Sequence, residues 1–238
     1  MFGGVLILSQ MNTIDDLDVA GKRVLIRADL NVPMHEGLVT DVTRIERTLP
    51  TIRDLQAKGA QVIVISHFGR PMGQYNPEMS LQPVAMALQT SLGQDVLFGA
   101  DCIGTTAMAA IDSANNGEVV VLENLRFHAG EEANDKTFAQ AMADLADVYV
   151  NDAFSCSHRA HASTEAIVHL LPSAAGRLMN SELQALSGVL DSPKRPVAAV
   201  VGGAKISTKM EVLGNLASKV DQLIIGGGMA NTFLFAKG

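Results

Sequence analysis

The sequence predicts a doubly wound α/β fold, in which a parallel sheet is covered by helices on both faces, and two patterns lead there. Short apolar runs rich in β-branched residues recur along the chain, and most do not alternate with polar residues, as expected of strands buried on both sides. Between these runs lie segments whose apolar residues repeat with helical period. Strand and helix alternate throughout, which implies βαβ crossovers and a Rossmann-like three-layer α/β/α arrangement.

The expected strands are Arg23 to Ile26, Gln61 to Ile65, Val96 to Phe98, Glu118 to Leu122, Val148 to Val150, Pro196 to Val201 and Gln222 to Ile225. Helical spacing joins Ile45, Leu49, Ile52 and Leu55, then Phe138, Met142 and Leu145, and finally Leu213, Leu216, Ala217 and Val220. Asp41 or Thr43 is placed to cap the helix that carries Arg44, and Thr208 with Glu211 has capping-box spacing. Arg44 then falls in a first helical turn. Its charge there opposes the helix dipole by roughly a few tenths of a kcal/mol, a cost that a bound anion reverses.

Two prolines and several polar residues between Leu190 and Pro196 follow an amphipathic segment from Met179 to Leu190, which marks a boundary. The expected organisation is an N-terminal domain over 11–178, a connecting helix and hinge over 179–195, and a second α/β domain beginning at 196. Only roughly 40 residues follow that point, less than an independent domain of about 50, so the second domain reads as incomplete. Met1 to Gln10 has no basic n-region or cleavage pattern and is too short to span a bilayer; it reads as an extension before a more natural start at Met11.

The chain has 238 residues, 47% of them hydrophobic, enough for a substantial core, and a formal charge of −7. That balance, without basic runs or interleaved aromatics, excludes nucleic acid and anionic membrane as general partners. Two cysteines, Cys102 and Cys156, make no disulfide framework and lack zinc-ligand spacing, which fits incidental thiols in a reducing cytoplasm.

Positive charge is instead local. Arg27-Ala-Asp29-Leu-Asn31, Ser66-His67-Phe-Gly69-Arg70, Glu123-Asn124-Leu-Arg126 and His158-Arg159-Ala-His161 each follow an expected strand. In a parallel sheet all four meet at one edge, where open α/β folds bind ligands, and guanidinium groups there suit phosphate and carboxylate oxygens. Asp29 and Asn31 suit either a turn cap before Pro33 or the hydroxyl groups of a substrate. His158 and His161 lack an evident third metal ligand, His169 on an apolar stretch reads as structural, and no nucleophile with its base is apparent. Gly202-Gly203-Ala204-Lys205 and Gly226-Gly227-Gly228 end the last two strands, where glycines serve equally as tight turns or as backbone anion sites. Neither is a complete nucleotide fingerprint, and Lys209 sits one helical turn beyond Lys205.

Taken in order, these clusters together with Asp41-Val-Thr-Arg44, Asn151-Asp152-Ala-Phe154 and Gly226-Gly-Gly-Met-Ala-Asn231-Thr-Phe233 resemble the phosphoglycerate kinase family from about Met11 onward. The resemblance implies a cytoplasmic, generally monomeric glycolytic phosphotransferase with two domains across a cleft, one for 3-phosphoglycerate or 1,3-bisphosphoglycerate and one for MgADP or MgATP. It implies that Asp29 and Asn31 bind the glycerate portion, and that His67, Arg70, Arg126 and Arg159 hold its distal phosphate. Arg27 and His161 complete the basic patch, and Arg44 and Lys205 stabilise the phosphoryl group in flight. Lys205 also meets the nucleotide phosphates, where Lys209 assists, and Gly203 and Gly226 to Gly228 lie along the nucleotide, while the aspartate for magnesium is expected in a later loop beyond this sequence. The chain therefore reads as the first part of such an enzyme; the competing expectations are a non-catalytic phosphometabolite-binding module and, from the glycines alone, a nicotinamide-dependent oxidoreductase.

Overall fold

A computed structural model describes residues 11–190, 193–203, 206–207 and 209–238. Strands β1 (Arg23–Arg27), β4 (Gln61–Ile65), β5 (Val96–Gly99), β6 (Val119–Leu122), β7 (Val148–Asn151) and β8 (Ser173–Ala175) form one sheet in the order β5-β6-β4-β1-β7-β8, and every pairing is parallel. A two-residue hairpin, β2 (Met34–His35) and β3 (Leu38–Val39), leaves the sheet after β1. The helices between strands are α1 (Thr43–Ala57), α2 (Gln82–Leu92), α3 (Gly104–Asp112), the single turn α4 (Ala129–Glu132) and α5 (Lys136–Ala143).

Successive strand residues point to opposite faces, and both faces are apolar. Val24, Ile26, Val62, Val64, Val119, Val121, Val148 and Val150 pack with Ile45, Ile52 and Leu55 of α1 and Val84 and Leu88 of α2. Leu25, Ile63, Ile65, Val120, Leu122 and Tyr149 pack with Ala107 and Ile111 of α3 and Phe138 and Met142 of α5. Continuous apolar runs in the sequence are thus two interleaved sets, each serving its own layer.

Strand β8 was absent from the expected set because Ser173, Ala174 and Ala175 are small and carry no β-branched signal; their backbone pairs with β7 all the same. At the start of α1 the cap residue is Val42, which has no capping side chain, while the Asp41 carboxylate accepts the Thr43 N–H at 2.8 Å. Asp41 thus serves the helix from one residue upstream. Thr208 of the proposed capping box lies outside the described residues. His169 is exposed and hydrogen-bonded to Glu165 at 2.9 Å, so its expected structural role is corrected to a surface hydrogen bond.

The helix α6 (Arg177–Leu190) is fixed at its N-terminus by Asp152, which follows β7. Asp152 Oδ1 accepts the N–H groups of Leu178 (2.9 Å) and Met179 (3.1 Å), and Oδ2 accepts the Thr51 hydroxyl at 2.6 Å. Arg177 adds ion pairs to Asp15 at 2.5 Å and to Asp54. Gly176 precedes this helix because a Cβ there would overlap the Asp152 carboxylate. Gly176→Ala is expected to cost about 1–3 kcal/mol through overpacking, read as a lowered midpoint in thermal unfolding. Gly188→Ala, a control in the same helix with open space around it, is expected to be neutral or stabilising.

The chain divides into two compact units, the first ending at Glu182 and the second spanning Leu183–Gly238. In the second, β9 (Ala198–Gly202) and β10 (Gln222–Gly226) pair in parallel, joined through α7 (Met210–Ala217), and α8 (Gly228–Lys237) follows. Among the described residues no helix is long and apolar enough to cross a membrane.

A candidate anion-binding site

Parallel pairing brings Arg27, Ser66, Glu123 and Asp152 to the same rim, since each stands at or just after the carboxyl end of β1, β4, β6 or β7. The loops are then tied to each other. Asn124 Oδ1 accepts the backbone N–H groups of Phe68 (3.0 Å) and Arg126 (3.1 Å), and its Nδ2 donates to the carbonyls of Phe68 (2.7 Å) and Met79 (2.9 Å). Asn31 Oδ1 accepts the Gly69 N–H at 3.0 Å, linking the loop after β1 to the loop after β4.

On this frame five cationic or ionisable side chains converge. Arg27 is 1% exposed and donates from Nη2 to His67 Nδ1 at 3.1 Å. Arg126, 6% exposed, donates to the Gly69 carbonyl at 2.8 Å and pairs with Glu132 at 3.1 Å, but its Nε–H has no partner among the described residues. Arg159 and His161 complete the group electrostatically. Burial pushes His67 down to about 3, and the charges of Arg27, Arg126 and Arg159 push the same way against Asp29. Arg126 is lowered by burial and by Arg159 and Arg27, with Glu132 opposing. His161 is lowered by burial despite Glu131, with Arg126 and Arg159 adding to the shift.

Such mutual repulsion has a readable sign. Above its ordinary value of 6.5 His67 is neutral in both states; below it the unfolded chain binds a proton that the folded chain refuses until about 3. Stability is therefore present at neutral pH and lost as pH falls through that window, by at most about 1.4 kcal/mol per pH unit for one proton. Urea unfolding at pH 7 and pH 5 is expected to show this loss, and His67→Gln is expected to reduce it, leaving the smaller share of His161, which acts with the same sign.

Asp29, Arg44 and Ser155 form an adjoining part of the rim. Burial works to raise Asp29, but the Ser155 hydroxyl, Arg44 and His67 outweigh it and hold the carboxylate below its ordinary range. Arg44, in the first turn of α1, forms an ion pair with Asp29, and the two line a hollow of about 310 Å³ with Arg47, Phe154 and Ser155. A second hollow of about 490 Å³ places Arg44 beside Asn31 and Asp41. Arg70 is exposed and has no side-chain hydrogen bond or ion pair among the described residues, so it does not join the converging group.

In the second unit, Gly203 (φ 145°) and Gly227 (φ 65°) let two loops approach closely; a Cβ on Gly227 would lie 3.2 Å from Gly203 N. Lys209, which the resemblance assigns to assist at the nucleotide phosphates, donates its Nζ to the Gly202 carbonyl at 2.7 Å, at the end of β9. Gly226 ends β10 and Gly228 opens α8. Lys205 lies outside the described residues.

Among the described residues, two side-chain groups have metal-ligand proximity, Asp29–His67–Cys156 and Asp101–Cys102–His128. Both include a thiol and an imidazole, whereas magnesium takes oxygen ligands, so neither fits that ion. Residues missed in the sequence are Glu131, Ser163 and Ser155. Glu131 is 0% exposed beside the exposed Glu132, and two adjacent glutamates carry no signal that separates the buried one.

Comparisons with known proteins agree with this architecture. The family model described as phosphoglycerate kinase matches residues 14–238. The chain is 61% identical over 226 residues to phosphoglycerate kinase of Rhodospirillum centenum and 60% identical over 227 residues to that of Rhizobium meliloti, covering 95% of this chain and 57% of each relative. Among solved structures, phosphoglycerate kinase from Coxiella burnetii has a TM-score of 0.84 at 44% identity, and that from Pyrococcus horikoshii 0.83 at 34%; each comparison covers 96% of this chain, and 57% and 58% of the other. The chain thus spans little more than half the length of these relatives. A match through 225 residues, a shared fold and one ordered rim of arginines and histidines have a common explanation: the chain belongs to the phosphoglycerate kinase family.

Proposed function

We propose that the first unit binds 3-phosphoglycerate and 1,3-bisphosphoglycerate at the rim, and that the protein transfers a phosphoryl group reversibly between 1,3-bisphosphoglycerate and ADP. In this reading residues 11–178 are the phosphoglycerate domain, 179–195 the connecting helix and hinge, and 196–238 the start of the nucleotide domain. Arg27, His67, Arg126, Arg159 and His161 hold the distal phosphate, with Arg70 reaching in from the exposed loop. Asp29 and Asn31 take the glycerate hydroxyl and backbone, and Arg44 meets the transferring group. Lys205, Lys209, Gly203 and Gly226 to Gly228 serve the magnesium nucleotide, which enters as substrate. The protein acts as a cytoplasmic monomer in glycolysis.

One observation carries the reading. A buried Nε–H on Arg126 has no acceptor among the described residues, inside a group of cations that repel each other. Both costs vanish when a phosphate dianion arrives, because a bidentate arginine contact satisfies the donor and the charge offsets the repulsion. Transfer from an acyl phosphate needs alignment and charge neutralisation more than a general base, which suits a rim of arginines.

Calorimetry on the 238-residue chain tests this. The expected result is saturable binding of 3-phosphoglycerate that weakens as salt rises, with no binding of NAD. A chain that ignores 3-phosphoglycerate at millimolar concentration sinks the proposal. Binding of 3-phosphoglycerate without ADP binding would favour the phosphometabolite-binding module.

A further inference from the structure

Arg27 belongs to the anion site just proposed, yet a buried guanidinium on a strand end has to be aimed by something. Its Nε donates to Ser163 Oγ at 2.8 Å, and Nη1 donates to its neighbour's carbonyl at Ala28. The Ser163 hydroxyl in turn donates to Glu131 Oε1 at 2.6 Å, while Glu131 Oε2 accepts the Ser163 N–H at 2.9 Å. Tyr149, fully buried, donates its hydroxyl to the Ser163 carbonyl at 2.6 Å. Ser163 and Glu131 are both 0% exposed.

The direction of each proton follows from the residue types. An ionised carboxylate only accepts and a guanidinium only donates, so the single hydroxyl proton of Ser163 must face Glu131 and its lone pair must face Arg27. The same logic passes on to His67. Its Nδ1 receives an N–H from Arg27 Nη2, so Nδ1 is the unprotonated nitrogen and Nε2 carries the ring proton. Cys156 Sγ, 3.9 Å from the same Nδ1, is compatible as a second weak donor.

We infer that Glu131 and Ser163 are positioning residues for the anion site: the chain Glu131–Ser163–Arg27–His67 locks the guanidinium in place and fixes His67 as the Nε2–H tautomer, leaving that N–H as a donor for substrate oxygen. Glu131 and Ser163 lie beneath the rim, fully buried, and act through Arg27. The consequence for binding rests on the phosphoglycerate reading; the consequence for the tautomer does not.

Nitrogen-15 NMR of the histidine rings at pH 7.5 in the ligand-free chain reads the tautomer directly. The expected spectrum of the unsubstituted protein shows His67 as Nε2–H, and a dominant Nδ1–H form overturns the inference without any variant. Ser163→Ala removes the acceptor of Arg27 Nε with little change in volume, and Glu131→Gln removes the obligate acceptor. In each, His67 is expected to shift toward a mixture of tautomers and 3-phosphoglycerate affinity to fall about tenfold. Ser163→Thr, which keeps the hydroxyl, is expected to restore both. A folded Ser163→Ala protein with an unchanged tautomer and unchanged affinity overturns the relay. An unchanged Nε2–H tautomer with loss of binding alone does so too. If the tautomer shifts as expected but the unsubstituted chain binds no 3-phosphoglycerate, the relay stands and the substrate reading falls.

Discussion

Arg126→Ala is expected to weaken 3-phosphoglycerate binding by roughly two orders of magnitude, about 3 kcal/mol, while the protein stays folded. The side chain is buried, but Glu132, its ion-pair partner among the described residues, is exposed and rehydrates when the guanidinium leaves. What is lost is the buried Nε–H donor and a guanidinium charge that stands with those of Arg27 and Arg159. Arg126→Lys is expected to recover little. A single ammonium can follow the Gly69 carbonyl or Glu132, but it has no second planar donor to present to an anion. Calorimetric titration of both variants measures the effect, and affinity within threefold of the unsubstituted protein for Arg126→Ala would contradict the assigned role.

Asp152→Ala is expected to have the largest effect on stability, about 3 kcal/mol or more. It strands the Thr51 hydroxyl and the N–H groups of Leu178 and Met179, all anchored on one fully buried carboxylate. Asp152→Asn separates hydrogen bonding from charge. Its amide oxygen can accept the same two N–H groups, and its nitrogen can donate to Thr51, whose hydroxyl oxygen already accepts the Arg177 N–H at 2.9 Å. A loss below about 1.5 kcal/mol is expected for asparagine. Burial raises the Asp152 pKa in spite of these bonds, so its contribution is present at low pH and lost as pH rises through the raised value. Urea unfolding of both variants from pH 4 to pH 8 checks the size and the sign, since the asparagine protein should lack that share of the pH dependence.

What the sequence made legible follows from how densely each signal is written. The six-stranded sheet was readable in five strands because Val62 to Ile65 and Val119 to Leu122 are unbroken β-branched or aliphatic runs, each supplying two layers of core at once. Strand β8 was not, because its residues are small and its place is set by the neighbouring β7 and by the chain near Asn12 and Thr13. The arginines and histidines of the rim were readable because parallel order alone sends strand ends to one side. Their supports were not. Ser163 belongs to no pattern in the sequence; it meets Arg27 across 136 positions, a contact that only the folded sheet creates. Arg70 is the reverse case, prominent in its motif yet exposed and without a side-chain hydrogen bond or ion pair among the described residues.

The four hydrogen bonds that Asn124 makes to Phe68, Met79 and Arg126 have a thermodynamic meaning for recognition. A cup whose wall is already stitched shut surrenders little disorder when it is filled. Selectivity among small anions then rests on matching a rigid outline, and a loosened stitch at this amide would blur discrimination before it abolished capture.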